Sequence, residues 1–236
     1  MKKHISLVLS YGLFMMAVAF SACSSNNEPE SKVSFEPVDM GVSVKWAPCN
    51  VGANAPEEYG WYLAWGVTAP TKAYSWEFYK WCEGSMYKLT KYCSEAENGM
   101  NGFVDNKTIL DPEDDAATVN WGKKWRTPTY DEIKELRDNC EMDNVEVNGV
   151  PGKLFTSKIT GNTLFFPFTG NTGYKPGTGA TEAYEVLGAG ESTSLWASTR
   201  SEVSQYAGGY YITDWMTYLG ESPRETGCVV RPVYCE

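Results

Sequence analysis

The residues of this sequence that could do chemistry are its seven cysteines and its single histidine. The cysteines form no Cys-x-x-Cys pair, and structural zinc sites are commonly built from such pairs, so a zinc cluster is not predicted. The histidine, His4, lies at the start of the chain, ahead of an apolar run. Removal of that start would exclude Ser-His-Asp catalysis, Cys-His catalysis and imidazole ligands to metals. We therefore expect no catalytic residue, no metal and no cofactor, and a protein that is not an enzyme.

The N-terminal segment has the pattern of a cleaved export signal. A basic start precedes an apolar run over residues 7–20, and two small residues come directly before Cys23. The run is too short for the roughly 20 apolar residues that span a bilayer. The step before Cys23 resembles a bacterial lipobox, although Phe20 lies where Leu, Val or Ile is usual. The resemblance implies a lipoprotein signal peptide over residues 1–22 and lipidation of Cys23.

Residues 23–36 are predicted to form a lipidated, flexible tether, because they are mainly polar and lack apolar periodicity. One acyl chain anchors a protein only marginally, and the resemblance implies several chains on Cys23. The implied location is the outer membrane, with the protein on the cell surface, and a periplasmic orientation stays open. Removal of residues 1–22 takes away two lysines and no acidic residue, so the formal net charge of −10 becomes −12. Such an acidic chain is not expected to bind nucleic acid.

Six cysteines follow Cys23, and an even number in an exported chain suggests disulfides. Six cysteines allow 15 connectivities, among which sequence does not choose. Cys82 and Cys93 are the simplest candidate pair, since closure of so short a loop would stabilise the fold by about 3 kcal/mol if the geometry permits. A buried free thiol is the alternative for each of them.

Strand signals dominate the rest of the chain, which we interpret as one domain over residues 37–236. Alternating or β-rich runs predict strands, and Asn-Gly pairs and the Gly-rich stretch 170–190 predict turns and loops. In the predicted late strand, Tyr211 and Trp215 fall on one face, opposite Tyr210. The predicted strands are 42–46, 163–168, 194–199, 205–215 and 228–234.

Two helices are predicted from their start signals. Asp111 suits the N-cap of a short helix whose first position is Pro112, and the acidic residues that follow favour its positive end. A calcium loop is the competing interpretation, but its Asp-x-Asp-x-Asp-Gly spacing is absent. The second helix begins at a capping box made by Thr129 and Glu132, with Ile133, Leu136 and Cys140 on one face.

Eight segments follow one another in order along the chain. They are Val38-Asp39-Met40-Gly41-Val42-Ser43-Val44-Lys45-Trp46-Ala47-Pro48-Cys49-Asn50-Val51-Gly52-Ala53, Tyr59-Gly60, Ala64-Trp65-Gly66, Pro112-Glu113-Asp114-Asp115-Ala116-Ala117, Asn120-Trp121-Gly122, Trp125-Arg126-Thr127-Pro128-Thr129, Leu195-Trp196-Ala197-Ser198-Thr199 and Val230-Arg231-Pro232. Together these segments resemble the Fibrobacter succinogenes major paralogous domain. The match covers about residues 37–236, and its specificity comes from the order of the segments.

The family resemblance implies an α+β, C-type lectin-like fold, with antiparallel sheets, two helices and a long irregular loop over residues 169–193. It also implies pairing of the terminal strands 42–46 and 229–233. The family is distantly similar to formylglycine-generating sulfatase modifiers, whose active cysteine pair has no matched motif here. The Glu-Pro-Asn and Trp-Asn-Asp signatures of calcium-dependent sugar binding are also missing, so no calcium site is carried over. Arg126 and Arg231 belong to the matched motifs, where a structural ion pair is the favoured role over a ligand contact.

Aromatic side chains are the candidate ligand contacts, because exposed rings stack on the apolar faces of sugars and anchor protein interfaces. The candidates are the loop tyrosines Tyr174 and Tyr184 and the strand residues Tyr211 and Trp215. An aromatic-rich stretch over residues 61–81 adds others. Most tryptophans of a β-rich domain are expected in the core, and we predict burial of Trp46, Trp65, Trp121, Trp125 and Trp196.

The leading functional prediction is a surface-anchored binding module for a glycan or another extracellular ligand. The first alternative is a structural or adhesive subunit of the cell envelope whose partner is a protein. The third functional hypothesis is an enzyme similar to the formylglycine-generating sulfatase modifiers.

Overall fold

The computed structural model of the protein describes residues 35–174 and 184–235. The predicted signal peptide, the lipidation site Cys23 and tether residues 23–34 lie outside the described residues. The described residues belong to one compact unit that runs from Ser31 to Glu236, so segment 24–236 contains every helix and strand given below. No helix in the described ranges has the length and apolarity needed to cross a membrane.

Short antiparallel strands make up most of the described structure. The α-helices are α1 (Ala116–Trp121) and α2 (Tyr130–Asp138), and short 3-10 helices cover Met100–Gly102 and Pro112–Asp114. The strands are β1 (Lys45–Trp46), β2 (Trp125–Arg126), β3 (Cys140–Val147), β4 (Val150–Ser157), β5 (Thr163–Pro167), β6 (Asn171–Tyr174), β7 (Tyr184–Leu187), β8 (Ser192–Arg200), β9 (Tyr206–Thr213), β10 (Thr217–Pro223) and β11 (Val233–Tyr234). The predicted α+β class, with antiparallel sheets and two helices, is confirmed at that level.

The strands form three three-stranded sheets and one hairpin, in the orders β1-β11-β2, β10-β9-β8, β3-β4-β5 and β6-β7. The two ends of the domain pair in the first sheet, where Trp46 lies opposite Val233. This pairing was predicted, but both strands are shorter than expected. Pro232 cannot donate to a strand ladder, and β11 begins only after it. The preceding residues pair elsewhere, since Val229 exchanges backbone hydrogen bonds with β8.

Three apolar clusters form the core of the described residues, and the smallest contains Tyr74 and Tyr79. The first lies among α2 and strands β4, β5, β8 and β9, and it contains Phe155, Phe166 and Tyr210. The second contains Trp65 and Trp196 with residues of α1. The prediction of buried tryptophans is confirmed for all five, which are Trp46, Trp65, Trp121, Trp125 and Trp196.

The acidic segment before α1 caps the helix differently from the prediction. Asp111 makes no side-chain cap, and Pro112 begins a 3-10 helix instead of α1. The N-cap of α1 is Asp115, whose carboxylate accepts from the amides of Ala117 and Thr118. Because the 3-10 turn comes first, the N-terminus of α1 lies four residues later than the sequence signal placed it.

Helix α2 has the predicted capping box. The Thr129 side chain accepts from the Glu132 amide, and the Glu132 carboxylate accepts from the Thr129 amide at 2.8 Å. Ile133 and Leu136 are buried on one face, as predicted. Cys140 is also buried, but it belongs to β3, because α2 ends at Asp138.

Three further strand predictions need correction. The β3–β4 hairpin was not predicted, because β3 is largely exposed and rich in acidic residues, although its Asn148-Gly149 turn was recognised. The predicted loop 169–193 contains the hairpin of β6 and β7. Trp215 does not share a strand face with Tyr211, since β9 ends at Thr213 and Trp215 lies in the turn to β10.

Candidate functional site

Three tyrosines from distant parts of the chain meet beside the β6–β7 hairpin. The ring of Tyr184 on β7 packs edge-on against Tyr74, with centroids 5.0 Å apart. The Tyr74 hydroxyl donates to the Tyr62 carbonyl at 2.5 Å, and the Tyr62 hydroxyl donates to the Thr169 carbonyl at 2.5 Å. Burial raises the pKa of Tyr62 to about 12, with smaller contributions from neighbouring tyrosines, so its hydroxyl stays protonated. Tyr74 is buried and Tyr184 is exposed, so the cluster reaches from the core to the surface.

A second pair of tyrosines lies on the β9–β10 hairpin. Tyr211 and Tyr218 are opposite each other in the register, and their rings stack with centroids 4.8 Å apart and planes within 11°. Gly220 gives the pair its room, since a Cβ there would lie 3.1 Å from the Tyr211 ring. The Tyr211 hydroxyl is hydrogen-bonded to the Ser222 hydroxyl. Tyr211 is half-buried, whereas Tyr218 is 43% exposed and presents the outer ring of the stack.

The segment around the buried Cys228 pairs with residues next to both groups. Cys228 bridges to Leu63, and Val229 donates to the carbonyl of Ser194, which lies opposite Tyr211. Gly227 exchanges hydrogen bonds with Thr172 of β6, at 2.8 and 2.9 Å. We call the two tyrosine groups together the tyrosine face. Its members are Tyr62, Tyr74, Tyr184, Tyr211 and Tyr218.

Two of the four residues predicted as ligand contacts, Tyr184 and Tyr211, belong to the tyrosine face, one in each of its groups. Trp215 lies at the β9–β10 turn with 77% of its surface exposed, and the preceding carbonyl of Asp214 accepts from Asn144 and Lys153. Tyr174 is described through its backbone, which pairs with Tyr184.

Sequence reasoning did not single out three members of the tyrosine face. Tyr62 and Tyr74 belonged to the aromatic-rich stretch without being distinguished within it. Tyr218 could have been found if the β9–β10 hairpin had been predicted, because it lies opposite Tyr211 in that register.

The two arginines of the matched motifs have structural partners. Arg126 forms a two-contact ion pair with Glu132, at 2.5 and 2.7 Å, and so joins β2 to the capping box of α2. Arg231 is completely buried and donates to Asn50 Oδ1 and to the carbonyls of Ala47, Pro48 and Phe165. Its guanidinium carbon lies 4.4 Å from the centroid of the Phe166 ring. Burial lowers the pKa of Arg231 to about 10, which leaves it protonated at neutral pH.

The six cysteines of the described domain are free thiols, so the predicted Cys82–Cys93 disulfide is not formed in the structure. The two sulfurs have separate partners instead. The Cys82 thiol donates to the Trp76 carbonyl at 3.0 Å, and the Cys93 thiol donates to the Glu95 carbonyl at 3.2 Å. Burial raises the pKa of Cys49 and of Cys140 to about 11, which disfavours their thiolates. In the described part of the chain, no three His, Cys, Asp or Glu side chains gather as a metal site would need.

Glu225 is a partly buried acidic residue that follows the buried Arg224. Its Oε2 atom is buried without a hydrogen-bond partner, and burial raises its pKa from 4.5 to about 7. The folded protein therefore holds a proton at Glu225 that the unfolded chain releases, and stability falls as pH rises through this window.

We expect the Glu225→Gln variant to be more stable than the wild type by about 1–3 kcal/mol at pH 8 and equally stable at pH 5. Urea unfolding at both pH values measures the difference. The exposed Glu221→Gln is the matched control, and it should show no such pH-dependent gain. An equal effect of Glu225→Gln at the two pH values would contradict the assignment.

No protein-family model matches the chain, and neither a curated protein nor a solved structure is significantly similar to it. The family resemblance in the motifs therefore stays a prediction.

Proposed function

We propose that the protein is a binding module, attached to the cell surface through a lipidated Cys23, that recognises a glycan without catalysing a reaction. The observation that carries the proposal is the tyrosine face, where Tyr184 and Tyr218 expose aromatic surface on a buried aromatic support. Sugar rings offer apolar C–H faces that pack on such aromatic rings. The support matters, because a ring held by its neighbours loses little freedom on binding.

The hydroxyl groups of the inner tyrosines favour a stacking role over a hydrogen-bonding one. Tyr62, Tyr74 and Tyr211 use theirs to bond within the protein. Because like charges repel, a chain with a net charge of −10 suits a neutral glycan better than an acidic polysaccharide.

Membership of the Fibrobacter succinogenes major paralogous domain family and a C-type lectin-like fold are part of the same proposal. The paired chain ends and the two helices support them. The motif residues also support the proposal, because they have structural roles. Asp115 caps α1, Arg126 joins β2 to α2, and Arg231 holds the segment that follows β1.

A glycan array probed with residues 24–236, with and without calcium, tests the proposal and identifies a ligand. We then expect Tyr184→Ala and Tyr218→Ala each to weaken binding of that glycan by about tenfold, corresponding to 1–2 kcal/mol per lost ring contact. Titration calorimetry with the glycan measures the change.

Tyr87→Ala is the matched control, because Tyr87 is an exposed tyrosine outside the tyrosine face. It should bind like the wild type. Loss of binding in Tyr87→Ala to the same extent, or no hit on any polysaccharide, would count against a glycan site. Purification of a stoichiometric envelope protein that is released by Tyr218→Ala would favour the structural or adhesive alternative instead.

A further inference from the structure

A second surface, separate in its residues from the tyrosine face, is an apolar groove between α1 and the segment that precedes the Pro112–Asp114 turn. Its volume is about 740 Å³, within the range of small-molecule sites. Aliphatic side chains form its walls, and two of them, Ile109 and Val119, are exposed at its edge. Exposed aliphatic residues that face one cavity are unfavourable in water, so the groove gains from an apolar occupant. We call it the aliphatic groove, lined chiefly by Ile109, Leu110, Pro112, Thr118 and Val119.

The hydroxyl groups of Thr118, Thr127 and Ser198, which line the groove, are already bonded within the protein. Thr118 Oγ1 donates to the Trp125 carbonyl, and Ser198 Oγ donates to the Pro128 carbonyl. Thr127 donates from both its amide and its hydroxyl to Asp115. The backbone wall is closed too, since the Leu110 amide donates to the Ser198 carbonyl. A peptide bound here would bury amide groups without partners, which is costly, whereas an alkyl chain needs none.

One end of the groove carries positive charge. Lys123 lines the groove, is exposed, and forms no ion pair with any described residue. The groove's other cation, Arg126, is held by Glu132. The exposed carboxylate of the groove, Glu113, lies ahead of α1, whereas Lys123 lies after α1, and Glu113 is 3.6 Å from Lys91. In a chain with a net charge of −10, an unpaired lysine at the rim of an apolar groove favours a ligand with an anionic head.

We propose that the aliphatic groove binds a single-chain anionic amphiphile, with its alkyl chain between Ile109 and Val119 and its anionic head at Lys123. A free fatty acid and a monoacyl phospholipid share this chemistry. The shape of the groove selects the alkyl chain of the ligand, and Lys123 selects the charge of its head group.

Titration calorimetry of residues 24–236 with laurate, below its critical micelle concentration, tests the proposal. We expect saturable binding of one laurate per chain and a loss of at least tenfold in affinity in Val119→Asp. That variant should fold, because Val119 is 51% exposed. Ile159→Asp is the matched control at an exposed apolar residue outside the groove, and it should bind like the wild type.

Two further experiments separate the contribution of the anionic head from that of the alkyl chain and locate the ligand. Lys123→Glu should weaken the binding of laurate several-fold. It should leave the binding of dodecyl maltoside, which has an uncharged head, unchanged. In a Cys82→Ser background, laurate should slow alkylation of Cys235, a partly exposed thiol that lines the groove. Replacing laurate with monolauroyl phosphatidylglycerol shows which source binds more tightly.

The proposal is overturned if laurate does not bind below its critical micelle concentration, or if Val119→Asp and Ile159→Asp weaken the binding of laurate equally. It is also overturned if an apolar peptide protects Cys235 and laurate does not. None of these outcomes depends on glycan binding by the tyrosine face, because the two surfaces share no residue.

Discussion

Replacement of Arg231 by methionine should lower the free energy of unfolding by about 3–5 kcal/mol, the largest effect expected of a single substitution here. The guanidinium holds the segment after β1 to β5, since its acceptors are Asn50, Ala47, Pro48 and Phe165. Methionine fills similar volume but donates no hydrogen bond, so these buried acceptors would lose their partner. Urea unfolding, followed by tryptophan fluorescence, measures the loss.

Arg231→Lys separates charge from geometry. Lysine keeps the positive charge, but its single ammonium group cannot reach all the acceptors that the planar guanidinium group of Arg231 reaches. Most of the loss in stability should therefore remain. Arg137→Met, at a surface position of α2 whose ion pair is with the exposed Asp138, is the matched control and should cost less than about 1 kcal/mol. A loss at position 231 as small as at position 137 would contradict the structural role of Arg231.

Asp115→Ala should lower the free energy of unfolding by about 2–4 kcal/mol, because the buried carboxylate has two tasks. It caps α1, and it accepts from the amide and hydroxyl of Thr127, which ties α1 to the end of β2. Asp115→Ser should recover part of the loss, since serine caps a helix but its shorter side chain does not reach as far as Thr127. Chemical unfolding of the three proteins gives the ranking.

Asp111→Ala is the comparison that decides which aspartate caps the helix. Asp111 is bound to Lys91 and Lys107 and makes no cap, so its loss should cost about 1 kcal/mol. A greater loss for Asp111→Ala than for Asp115→Ala would contradict the cap seen in the structure and restore the one predicted from sequence.

Local signals predicted the elements whose causes are local. The capping box joins residues three positions apart, and β5 and β8 are apolar runs long enough to be recognised alone. The helix start at Asp111 was wrong, although its signals were also local. The cap is Asp115, four residues later, because its carboxylate also accepts from Thr127.

The candidate site could be predicted only in part, because its members meet through long-range packing. Sequence indicated Tyr184 and Tyr211 as exposed aromatics, but the support of the Tyr184 ring comes from Tyr74, more than a hundred positions away. The Tyr211–Tyr218 stack depended on the register of a hairpin whose second strand was not predicted. The aliphatic groove left no sequence signal, because Ile109 and Val119 are ordinary apolar residues until the fold places them around one cavity.

The sequence by itself determined the chemistry that is available: one histidine at the extreme start, cysteines without metal spacing, and many aromatic residues. It also determined the mixed class of the fold, because periodicity and capping act over a few residues. Only the tertiary structure decided which cysteines remain thiols, which aspartate caps α1, and which tyrosines pack against each other. Those outcomes depend on contacts between residues far apart in the chain, and the free energy of such contacts is set by packing and burial that no local pattern records.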